Sequence, residues 1–123
     1  MVKLIVSDLD DTLLADDLTI SPENMEAIAQ ARAQGMTFTF AIGRMFVSSL
    51  PYAKQLQLSD EVPLICYNGA VIRRINGEVI YENLLPHQLA LDIVRYCEDR
   101  GWTTNLYYKD ELYVREINPE VQY

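Results

Sequence analysis

Asp8, Asp10, Asp11 and Thr12 crowd the end of a short apolar run formed by Val2, Leu4, Ile5 and Val6. Carboxylates repel one another, and taking them out of water is costly. Three of them beside an apolar segment therefore ask for a cation or a reaction. In a strand that is ending, residues two apart point the same way, so Asp8 and Asp10 can face one site. A hard cation such as Mg2+ is held by one or two carboxylates, waters and substrate phosphate oxygens. One carboxylate of such a pair can attack phosphorus. The other can protonate the leaving group and later deprotonate a water. The bland alternative is an acidic, solvated turn capped by Asp10 or Asp11. It leaves unexplained why Asp-x-Asp-x-Thr is framed by an apolar strand before it and Leu13-Leu14 after it.

The elements that must hold these residues follow in order. The apolar run predicts a buried strand ending at Asp8. Ser21-Pro22-Glu23 predicts a helix start, with Ser as the cap, Pro in the first position and an acid in the first turn. Met25, Ile28, Ala29 and Arg32 continue at helical spacing up to Gly35, a natural stop. Residues 36–42, rich in β-branched and aromatic types, predict a second strand ending in Gly43-Arg44. Residues 46–56 are helical in pattern, with Pro51 predicting a kink or a restart. Residues 62–67 predict a third strand ending in Asn68-Gly69. Alternating strands and helices imply right-handed crossovers and a parallel sheet, an α/β fold.

The pattern then changes. Residues 70–74 and 78–82 read as a hairpin around Asn76-Gly77. Residues 86–100 form an amphipathic helix pattern with Leu89, Ile93, Tyr96 and Cys97 on one face. Residues 102–108 and 111–116 read as two further strands. A boundary near Asn83 separates the two regions.

Composition narrows the function. The chain has 123 residues, half of them hydrophobic, and a net charge of −8. That charge argues against binding a nucleic-acid backbone or an anionic membrane. No apolar run approaches the length of a membrane span, and the N-terminus lacks a signal-peptide pattern. Cys66 and Cys97 read as buried, reduced thiols of a cytoplasmic protein. His87, the only histidine, follows Pro86 at a helix start and has no partner ligands in the sequence. Tyr96, Trp102, Tyr107, Tyr108 and Tyr113 read first as packing and second as the lining of a substrate pocket.

Residues 2–14 resemble the first motif of the haloacid dehalogenase superfamily, in the form typical of its Cof-type phosphatases. Gly43-Arg44 after the second strand and Cys66-Tyr67-Asn68-Gly69-Ala70 after the third resemble the same branch. So does the hairpin that leads toward its α/β cap. The resemblance implies a partial Rossmann-type, three-layer core over residues 1–82, followed by the start of an α+β cap over 83–123. It implies that Asp8 is the nucleophile and a Mg2+ ligand. Asp10 is then the general acid/base, with its backbone carbonyl also on the metal. Thr12 shapes the turn, and Gly43, Arg44 and Asn68 contact phosphate or substrate.

The chain departs from the family at Ile42, where the branch usually has Thr or Ser to hold the transferring phosphoryl group. Losing one such bond costs roughly 1.5–3 kcal/mol, about 10- to 100-fold in rate. The resemblance also implies a downstream Lys and an acidic pair, for which these residues hold no match; Lys54 and Lys109 stand in the wrong places. Two strands flanking the Asp8 strand likewise have no match. That predicts an open sheet edge with uncovered apolar surface, and hence a homo-oligomer. The function expected from the resemblance is a Mg2+-dependent phosphatase of small phosphorylated metabolites, here an N-terminal portion. The alternative is a degenerate relative that binds a metal, phosphate or partner without turnover. A response-regulator-like phosphoacceptor fits less well, because the third strand ends in Asn68 and not in Asp.

Overall fold

The computed structural model describes residues 2–117. The chain forms two compact units, Met1–Asn83 and Leu84–Tyr123.

In the first unit, β1 (Leu4–Ser7) pairs in parallel with β2 (Thr37–Phe40), Leu4 opposite Thr37 and Ser7 opposite Phe40. The crossover between them is α1 (Pro22–Ala33), which starts as its sequence predicts. The Ser21 hydroxyl accepts the Asn24 amide at 3.1 Å, and Pro22 occupies the first turn. Past its end, Gly35 takes φ +85°, the left-handed conformation that stops a helix.

The second crossover is α2 (Phe46–Gln55), which leads to β3 (Pro63–Cys66). The helix does not restart at Pro51 but runs on through it to Gln55. Proline removes one intrahelical donor, the one that would serve the Val47 carbonyl. Val47 is exposed, so water can take that donor's place. Arg32 ties the two helices together: its guanidinium donates to the carbonyls of Leu56 and Gln57, at 2.7 Å each.

β3 is joined to β2 in parallel by the bridge Ala41–Ile65, where the Ile42 amide donates to the Ile65 carbonyl at 2.9 Å. Buried Thr39 adds a side-chain bond to the Pro63 carbonyl. β4 (Val71–Arg74) and β5 (Val79–Glu82) then continue antiparallel from β3, with an irregularity between Ile72 and Arg73. Their turn carries Asn76-Gly77, with Gly77 at φ +96°.

The core lies in this first unit. Leu9, Phe40, Leu64 and Cys66 are wholly inaccessible, and Ile28, Phe38, Ile42, Phe46 and Leu56 pack around them. β1 is not the buried strand its apolar composition predicts. Val2, Leu4 and Val6 are 63 %, 55 % and 46 % exposed. The reason is topological: among the described residues β1 pairs only with β2, so nothing covers its far side.

The second unit holds α3 (His87–Glu98) and the hairpin β6 (Leu106–Tyr108) and β7 (Glu111–Tyr113). The strands are shorter than the predicted 102–108 and 111–116. No described residue of this unit is buried. Leu89 and Ile93 of α3 are exposed, as is Tyr96, which read first as packing, and Cys97, expected to be buried, is only half-buried. One helix and one two-stranded hairpin are too few to enclose a core.

Candidate active site

The site grows from the turn that ends β1. Leu9 is wholly buried, and its carbonyl collects the amides of Leu13 (3.0 Å), Leu14 (2.9 Å) and Thr12 (3.4 Å). With Leu9 driven inward, its neighbours Asp8 and Asp10 turn outward to the surface, and both are exposed. The apolar residue between the two acids thus acts as the anchor of the motif. Asp11 takes φ 54° in this turn and points to solvent. Thr12 contributes its backbone amide to the turn.

Asp8 is oriented locally. Its Oδ1 accepts the Leu9 amide at 2.7 Å, and its carbonyl accepts the Ser7 hydroxyl at 2.7 Å. The carboxylate lines a cavity of about 270 Å³ together with Ala41, Ile42, Gly43, Ile65, Asn68 and Gly69. The carboxyl ends of β1, β2 and β3 thus meet at one point, where ligands bind in open α/β sheets.

Asp10 is engaged elsewhere. Arg44 clamps it through two donors, Nε to Oδ2 at 2.7 Å and Nη2 to Oδ1. The guanidinium also lies 5.6 Å from the centre of the Tyr52 ring. The Arg44 hydrogen bond holds the Asp10 carboxyl below the usual carboxylate range, partial burial opposes this, and the Arg44 charge adds to the lowering. The same bond raises the affinity of Arg44 for its proton.

The loops after β2 and β3 are stitched together. The Asn68 amide donates to the Ile42 carbonyl at 3.0 Å, and the Tyr67 amide to the Arg44 carbonyl at 3.1 Å. Tyr67, Asn68 and Gly69 are all left-handed, at φ 52°, 54° and 92°. The Asn68 side chain lies over Gly43, where an added Cβ would come within 3.2 Å of its Oδ1. Ile42 is 3 % exposed and its side chain belongs to the core. Thr39 cannot stand in for a hydroxyl there, being buried and committed to Pro63.

The structure thus brings Asp8, Gly43 and Asn68 to one cavity and pairs Asp10 with Arg44 beside it. Sequence reading missed that pairing, because residues 34 apart carry no local signal of contact. It also missed the left-handed Tyr67; only the Asn-Gly that follows it was a signal.

A profile of haloacid dehalogenase-like hydrolases matches residues 5–123. The chain belongs to that family. Among curated relatives, the pyridoxal phosphate phosphatase YbhA of Escherichia coli (strain K12) is 30 % identical over 115 residues, covering 93 % of this chain and 41 % of the relative. The HMP-PP phosphatase of Serratia proteamaculans (strain 568) is 28 % identical over 122 residues, covering 91 % and 44 %. Among solved structures, a haloacid dehalogenase-like hydrolase from B. subtilis superposes with a TM-score of 0.85 at 27 % identity, over 97 % of this chain and 41 % of that one. The chain therefore spans less than half the length of the family members it matches. The α/β fold with its parallel strands agrees with the resemblance read from the first motif. No helix among the described residues is long and apolar enough to cross a membrane.

Among the described residues no three acids, histidines or cysteines cluster as a ready cation cage. The Asp8 carboxylate is exposed and has Oδ2 to spare beyond its bond to Leu9. Among the described residues no turn amide donates to the Asp10 carbonyl, since those amides converge on Leu9. One carboxylate oxygen and one carbonyl fit the usual protein share of a Mg2+ site, which leaves the other positions to water and phosphate.

Proposed function

We propose that this chain is the nucleophile-bearing portion of a Mg2+-dependent, Cof-type phosphatase of small phosphorylated metabolites. One observation carries the reading: the Asp8 carboxylate is fixed by the Leu9 amide at 2.7 Å and lines the cavity where the three parallel strands end. The names of the relatives, phosphatases of pyridoxal phosphate and of HMP-PP, support the substrate class. The net charge of −8 supports a protein that binds neither a nucleic-acid backbone nor an anionic membrane.

In the reaction, an Asp8 oxygen attacks phosphorus and an O–P bond forms as the ester P–O bond breaks. Asp10 gives its proton to the departing alkoxide. A water then attacks the aspartyl-phosphate, Asp10 takes its proton, and phosphate leaves with Asp8 restored. Mg2+, held by the Asp8 carboxylate and the Asp10 carbonyl, would neutralise charge on the transferring group. Arg44 must loosen its grip on Asp10 for the proton to move. Thr12, Gly43, Arg44 and Asn68 remain the candidates for phosphate and substrate contact.

A second reading is favoured by two observations, the core-directed Ile42 and the closed Arg44–Asp10 pair. On that reading the chain binds a cation, phosphate or partner without turnover. Hydrolysis of p-nitrophenyl phosphate by the purified chain separates the two. The phosphatase reading expects turnover that needs both Mg2+ and Asp8 and is lost in Asp8→Asn. Turnover that survives Asp8→Asn, or none at all, overturns it for this chain.

A further inference from the structure

Taking Asp10 as the acid/base of the proposed phosphoryl transfer, we infer that Tyr52 is a positioning residue, whose ring face holds the Arg44 guanidinium when Asp10 leaves it. Asp10 cannot pass a proton to a departing alkoxide while both of its oxygens receive Arg44 donors. The pair must open in each turnover, and the cation then needs another partner.

The surroundings of Arg44 decide which member of the pair moves. Its backbone is fixed, since its carbonyl accepts the Tyr67 amide at 3.1 Å. Its side chain is 26 % exposed, against 47 % for Asp10. The guanidinium is thus the better covered member, and the centre of the Tyr52 ring lies 5.6 Å from it. The negative face of an aromatic ring attracts a cation within about 6 Å of its centre. Asp10, on an exposed turn, is the member with room to swing.

The ring itself is held in place. Tyr52 is half-buried on α2 and packs against the core, on a helix anchored by buried Phe46, Ser49 and Ala53. Its contact with Arg44 is incomplete while the pair is closed. Arg100 stands 3.4 Å from the centre of the Tyr96 ring, and Arg73 stands 4.9 Å from that of Phe46. A guanidinium in this chain can therefore approach a ring more closely than Arg44 approaches Tyr52. Closing that gap as Asp10 withdraws offsets part of the cost of breaking its two hydrogen bonds. A partly exposed contact of this kind favours the open state by about 2- to 5-fold.

The test compares two full-length chains, Tyr52→Phe and one carrying a ring-trifluorinated phenylalanine at the same position. Fluorine draws negative charge away from the ring face and leaves the ring's shape and packing nearly unchanged. In each, Asp10→Ala removes the competing carboxylate, and NMR follows exchange of the Arg44 Nε–H with water. Protection is expected in Tyr52→Phe and should fall about 2- to 5-fold on fluorination. Equal protection in the two chains overturns the inference, whatever the activity. With Asp10 intact, Mg2+ and p-nitrophenyl phosphate, fluorination should lower kcat by the same about 2- to 5-fold and leave KM unchanged. A raised KM with unaltered kcat also overturns the inference. Absence of turnover in both chains overturns the phosphatase reading alone, because the exchange comparison judges the hold on Arg44 without it.

Discussion

At the scale of residues, the site depends on which polar groups are already engaged. Asp8 gives one carboxylate oxygen to the Leu9 amide and keeps the other. Asp10 has both oxygens on Arg44. The pair is exposed, with side-chain accessibilities of 26 % for Arg44 and 47 % for Asp10, so its worth to stability is below about 1 kcal/mol. Its sign with pH is nevertheless fixed. The Asp10 carboxyl is lower in the folded chain than its ordinary value, chiefly through the Arg44 hydrogen bond. The contribution is therefore full above the ordinary carboxylate range and fades as pH falls through the folded value. Arg44→Gln should return the Asp10 carboxyl toward its ordinary value in a 13C NMR titration. It should also lower the unfolding midpoint slightly at neutral pH and not at all in strong acid. An Asp10 titration that ignores the substitution would show that the pair is not closed in solution. The Asp8 motif was legible in the sequence because its residues lie within a few positions of one another just past an apolar run. The Asp10–Arg44 bond was not, because a bidentate contact depends on where a distant loop returns.

At the scale of elements, local rules accounted for most of what is seen. The Ser21-Pro22-Glu23 start, the Gly35 stop and the Asn76-Gly77 turn were each readable, because capping and positive φ are decided within a few residues. Ser21→Ala should cost about 1 kcal/mol through loss of the bond to the Asn24 amide. A shifted urea midpoint with unchanged m value would show it. Pro51 is the instructive miss. Its local rule predicts a kink or a restart; α2 does not restart but continues to Gln55, with Phe46, Ser49 and Ala53 buried. Burial of that face outweighs one lost hydrogen bond whose acceptor faces water. At α3 the amphipathic pattern produced the helix, and among the described residues its apolar face is left exposed.

At the scale of the whole molecule, the uncovered surfaces make the strongest physical statement. Leu4 and Val6 stand exposed on a strand paired on one side among the described residues, with Val2 exposed just before it. An apolar open edge is a template for pairing with another chain. We expect concentration-dependent association of the 123-residue chain, weakened by Leu4→Lys, with light scattering as the measurement. A monomer at millimolar concentration would refute this expectation.

By itself the sequence determined the order of elements, the Asp8–Asp10 motif, and membership in a family of hydrolases over nearly the whole chain. The order of elements rests on periodicity, capping and spacing, which act over a few residues and survive without tertiary context; the family membership rests on the likeness to other members. Only the tertiary structure decided that Leu9 anchors the motif, that Arg44 closes on Asp10, and that Asn68 reaches over Gly43 to stand beside Asp8. It also decided that β1, apolar by composition, is not buried. Each of these depends on which segments meet in space, and apolar side chains record a preference for cover without recording whether a partner supplies it.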